Sequence, residues 1–134
     1  MWRACGALPE TALAGRPLAS LSFALNRALT GEALWGYHAV NLALHVVNSG
    51  MVWALLRRVW RSPRLAGERA SADALAAGVA LVWAAHPLLT DAVTYVVQRT
   101  ELLMAATLLT TLYAVARVAA GESPRRWSVV AVAA

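Results

Sequence analysis

Lysine is absent from this 134-residue chain, cysteine occurs once, and only 14% of the residues are charged. Each shortage removes a class of protein. The lone Cys5 excludes an internal disulfide and any cysteine-built metal cluster. Charge this sparse, beside 60% hydrophobic residues, excludes an ordinary soluble domain, which is about 25% charged and roughly 45–50% apolar. Without lysine, the formal charge of +5 comes wholly from arginine. The arginines are not interleaved with stacking aromatics on a soluble face, so no nucleic-acid partner is expected. Residues 1–9 lack the sustained apolar core of a signal peptide.

What the chain does have is hydrocarbon in long runs. Residues 34–56 carry no charge when their histidines are neutral, and residues 75–85 and 102–116 carry none at all. One tilted crossing takes roughly 20 apolar residues. The expected fold is therefore all-α: a multi-pass membrane protein with spans over 34–58, 71–86 and 100–118 and the start of a fourth over 127–134. Residues 1–15 are Ala/Gly-rich and are expected to form an outer loop. Pro17 suits a first helical turn. Leu18, Leu21, Leu25 and Leu29 then recur at helical spacing, which predicts a short interfacial amphipathic helix over 17–30. Residues 71–86 make a short span, since about fifteen residues rise only some 23 Å. His86-Pro87 should end it near the outer headgroups, with a short outer helix over 88–99.

Charge sets the orientation. Residues 57–70, with Arg57, Arg58, Arg61, Arg64 and Arg69, are predicted to lie in the cytoplasm. That side collects eight arginines against three acids, whereas the outer side balances four against four. An integral protein of a bacterial inner membrane is expected.

Two polar groups stand out. His38, Asn41, His45 and Asn48 follow at steps of three, four and three, which puts them on one helical face. Such a stripe is costly against lipid and should face protein or a wet cavity. The two-turn separation of the histidines favours interhelical hydrogen bonding over zinc, whose single-helix sites use histidines four apart. The second group is the island from His86 to Glu101, which sets Asp91, Gln98, Arg99 and Glu101 between apolar runs. Ionisable groups at such a junction are functional-site candidates; the plainer alternative is a polar loop in water.

The segments RPLASLSFALNRALTGEALWGYHAVNLALHVVN and HPLLTDAVTYVVQRTELLMAATLLTTLYAVAR resemble the membrane domain of GT-C glycosyltransferases. The resemblance is to the multispanning group that carries tetratricopeptide repeats and is related to protein O-mannosyltransferases. It covers residues 16–117. It implies a transferase that takes sugar from a polyprenyl-phosphate donor at the non-cytoplasmic face and passes it to a protein or glycan hydroxyl. Asp91 matches the acidic position of the HP…T(D/E)AV element, and Arg99 and Glu101 match R…(D/E)LL. The resemblance thus makes Asp91 and Glu101 the catalytic acids, with Asp91 also the ligand of a divalent cation (Mg or Mn). Arg16, Arg99 and His86 become the groups on the lipid phosphate, since a guanidinium grips phosphate with two hydrogen bonds. A helix-end cap is the alternative for His86. The first span, further spans and repeats of the family are absent from the sequence. The chain is therefore expected to be a fragment, inactive alone, that works with the remaining helices of a larger enzyme. Two other classes remain: a small transporter with the His/Asn stripe lining a polar path, and a non-catalytic membrane scaffold.

Overall fold

The computed structural model describes residues 16–62, 71–122 and 124–133, and all its regular elements are helical. The expected outer loop over 1–15 and most of the 57–70 loop, with Arg64 and Arg69, lie outside the described residues.

Helix α1 spans Pro17–Thr30. The carbonyl of Arg16 starts it, accepting from the amide of Ser20 at 3.1 Å and from its hydroxyl at 3.2 Å. Gly31, at φ +65°, ends it and donates to the Arg27 carbonyl at 2.9 Å. Helix α2, Leu34–Trp60, follows after a tight corner. A Cβ at Gly36 would lie 2.7 Å from Thr30 Cβ and 2.8 Å from its Cγ2, so only glycine lets the end of α1 come this close.

Helix α2 is the central element, packed against α3 (Ala72–Ala84) and α5 (Arg99–Ala119), with α6 (Pro124–Ala133) beyond α5. On α3 the buried row is Ala72, Ala76 and Ala80; side chains this small let apolar helices approach closely. Two stretches are long and apolar enough to cross a membrane, Leu34–Trp60 and Val96–Ala119. Helix α3 has 13 residues, about 20 Å of rise, short of the roughly 30 Å hydrocarbon core. Two full spans are thus shown, and α3 is a shorter apolar helix beside them. Pro87 is the cause, because it has no N–H to continue the α3 ladder.

The single short helix expected over 88–99 is broken into three pieces. Tight turns at Pro87–Leu89 and Val96–Gln98 flank α4, Thr90–Thr94. Thr90 accordingly donates its hydroxyl to the Pro87 carbonyl.

The far end of the bundle is tied by charge. Asp73 accepts from Arg57 at 2.9 Å and Arg61 at 2.5 Å, linking α2 to α3. Glu122 joins Arg58 of α2 to Arg117 of α5, the latter at 2.5 Å. The Arg58 hydrogen bond, helped by the charge of both arginines, holds the Glu122 carboxyl below its usual range.

Candidate functional site

The site forms where the start of α2, the start of α5 and α1 converge, opposite that arginine-rich end. Its centre is Arg99. The residue is 0% exposed. Its Nε donates to Asn41 Oδ1 at 3.0 Å and its Nη1 to the Ser22 carbonyl at 3.3 Å. Nη2 donates both to Asn26 Oδ1 at 2.9 Å and to the Tyr37 carbonyl at 3.1 Å. The guanidinium lies 4.4 Å over the Phe23 ring and 5.6 Å from that of Tyr37, so aromatic faces supply further negative potential. Among the described residues Arg99 enters no ion pair. This differs from the expectation that Arg99 grips a lipid phosphate. Its fork is occupied by the protein's own oxygens, and no face of it is open.

Holding that cation dictates how α1 sits. Asn26 and Ser20 are buried, whereas Leu18, Leu21, Leu25 and Leu29 are 65, 60, 60 and 76% exposed. The polar side of the helix faces protein and the leucine row faces outward, as suits a helix bathed in lipid. Asn26 is itself braced, donating to Thr30 Oγ1 at 2.8 Å.

The His/Asn stripe of α2 serves the same end. His38 Nδ1 lies 3.4 Å from the Val93 carbonyl, and Asn41 Nδ2 donates to that of Tyr95 at 3.2 Å. His45 Nε2 reaches the Ala84 carbonyl at 3.0 Å, and Asn48 Nδ2 that of Leu102 at 2.9 Å. Two of these carbonyls, those of Val93 and Tyr95, belong to the broken stretch between α3 and α5, and that of Ala84 belongs to the last residue of α3, where helical partners run out. In hydrocarbon such groups must be satisfied by protein. The stripe does this, with Trp83 stacked on His45 at 5.5 Å. It is not a polar path, which removes the feature that suggested a transporter.

Beside Arg99 a groove of about 300 Å³ opens between the first turn of α1, Arg16 to Ala19, and Thr100, Leu103, Met104 and Thr107 of α5. Its walls are mostly apolar, and Arg16 brings a charge to it. The α5 residues fall at i, i+3, i+4 and i+7, a pattern visible in the sequence, but only the packing of α1 turns that face into a groove.

Asp91 and Glu101 are exposed, each in the first turn of its helix, where a carboxylate complements the helix dipole. His86 is exposed at the α3 break. Neither acid nor His86 lines the groove, so the structure brings Arg16 to it and leaves these three at the same end of the bundle outside it. Among the described residues no three His, Cys, Asp or Glu side chains gather to hold a metal ion.

No family model matches the chain, and no solved structure does. Curated proteins do. Protein O-mannosyl-transferase Tmtc2 of Drosophila melanogaster is 41% identical over 92 residues, 65% of this chain and 8% of its own length. Over this stretch the chain is similar to protein O-mannosyl-transferases. Protein O-mannosyl-transferase TMTC2 of Homo sapiens is 37% identical over 86 residues, 64% of this chain and 9% of its own. Tmtc3 of Drosophila melanogaster is 34% identical over 124 residues, 83% of this chain and 13% of its own. The chain thus spans 8 to 13% of the length of these relatives. They are animal proteins and give no support to a bacterial inner membrane.

Proposed function

We propose that this chain is a portion of a GT-C membrane glycosyltransferase of the protein O-mannosyl-transferase kind, using a polyprenyl-phosphate sugar donor. The observation that carries the reading is the apolar groove with Arg16 at its α1 wall, in a chain similar to O-mannosyl-transferases. A prenyl chain suits the wall of Leu18, Leu103 and Met104, and a guanidinium suits the phosphate. Thr100 and Thr107 offer hydroxyls alongside.

In this reading the groove end faces away from the cytoplasm, because the arginine-rich end stays inside. The acceptor hydroxyl oxygen bonds to the anomeric carbon as that carbon's bond to the phosphate oxygen breaks. Asp91 takes the hydroxyl proton as general base, the lipid departs as polyprenyl phosphate, and Glu101 is the second acid near the reaction. His86 would donate to the same phosphate. The rest of the catalytic surface is supplied by helices of the longer enzyme, and the tetratricopeptide repeats belong to that remainder.

The test is transfer of sugar from a polyprenyl-phosphate donor to a hydroxyl-bearing peptide, by membranes containing the polypeptide that carries this stretch. Asp91→Asn should lower turnover at least a hundredfold, the low end of what general-base catalysis contributes (roughly 10²–10⁴-fold). Undiminished turnover removes Asp91 from the chemistry.

A further inference from the structure

We infer that Arg99 is a positioning residue for the groove, acting through Arg16 by fastening α1 to α5. Every side-chain hydrogen bond between α1 and α5 among the described residues comes from this one guanidinium, to Ser22 and Asn26. Its other two bonds, to Asn41 and Tyr37, fix it to α2. The three helices are therefore indexed to one rigid planar group. Arg16 is the residue that starts α1 and Thr100 is the neighbour of Arg99, so both walls of the groove are set within a few residues of the fork.

The manner of binding separates this role from that of a charge kept for a ligand. All four acceptors are neutral and sit at different angles around the fork, with aromatic rings against its face. A carboxylate would satisfy two N–H groups from one direction and fix one helix. Four oxygens from α1 and α2 fix two helices at once. Lysine keeps the charge but has three donors on a flexible stem and no planar face. It cannot reproduce the arrangement.

Only the identity of the ligand rests on the proposed function; the grip on α1 does not. Two readouts separate them, both on the membrane-embedded chain in a Cys5→Ser background. Spin labels at Leu25→Cys on α1 and Leu112→Cys on α5, both exposed, report how tightly the helices are held. Farnesyl phosphate and farnesol report whether the groove distinguishes phosphate from alcohol. Arg99→Lys should broaden the distance distribution and lower the preference for farnesyl phosphate about tenfold, the worth of one charge-assisted hydrogen bond. Arg16→Gln should lower the preference equally without broadening. The double variant should be no worse than either alone, since both remove one interaction. Asn26→Ala, which leaves Arg99 its other three oxygens, gives a milder form of the same change if Arg99→Lys does not fold.

An unchanged distance distribution in both Arg99→Lys and Asn26→Ala overturns the inference. So does full additivity of the Arg16 and Arg99 losses. A parent protein with no preference for phosphate overturns the prenyl-phosphate reading instead, and the spin-label distances then decide the positioning role alone.

Discussion

Asn41 and Asn48 are both fully buried on the same face of α2, yet they should differ sharply when replaced by leucine. Asn48 makes one hydrogen bond, from Nδ2 to the Leu102 carbonyl, and its Oδ1 is without a partner among the described residues. Leucine there forfeits about 0.6 kcal/mol, the average for a hydrogen bond between membrane helices, and removes an unsatisfied oxygen. Asn41 donates to the Tyr95 carbonyl, which keeps a second donor in the Gln98 amide at 3.1 Å, and accepts from Arg99. Loss of that charge-assisted bond costs about 1.5–3 kcal/mol. With the ordinary bond added, Asn41→Leu should destabilise by about 2–4 kcal/mol and Asn48→Leu by less than about 1 kcal/mol. Reversible unfolding in mixed micelles, with detergent as denaturant, measures both. Equal losses would refute the assignment of Arg99 as the bundle's tie, because only that contact distinguishes the two asparagines. A further check is Arg99→Met/Asn41→Leu, in which the cost of Asn41→Leu should fall towards that of Asn48→Leu.

Two other expectations follow from the geometry. Gly36→Ala should push Thr30 away and with it Asn26, destabilising by about 1–3 kcal/mol, the usual cost of overpacking; broadened spin-label distances between α1 and α5 would register it. At the far end, the Glu122 carboxyl sits below its usual range through the Arg58 hydrogen bond. Its contribution to stability is present above the unfolded glutamate value and is lost as pH falls through the folded one. Glu122→Gln should flatten the acid side of the unfolding profile in that window while leaving the neutral side level with it.

The sequence carried the α2 stripe clearly, because steps of three, four and three define a helix face whatever surrounds it. It also carried the weakness of α3, since Pro87 stops any helix it follows by three residues. Two features were beyond it. The acceptors of Arg99 lie 58 to 77 residues away in the chain, so no local pattern announces them. The seat of α1 was hidden too. Four leucines opposite Ser20 and Asn26 announce an interfacial helix with its leucine row in lipid, but not which helices its polar face meets. For that reason the groove, which needs α1 in place, was visible only as a face on α5.

The partners of the α2 stripe come 39 to 55 residues after it in the chain. A polypeptide delivered to the bilayer from its amino terminus therefore presents two histidines and two asparagines to the membrane before the carbonyls that will receive them exist. Until α5 has emerged, α2 is better kept at the insertion machinery, or in a watery vestibule, than released into lipid. The polar face that stabilises the finished bundle thus sets a schedule for its birth, with α2 entering before its partners and being let go only after them.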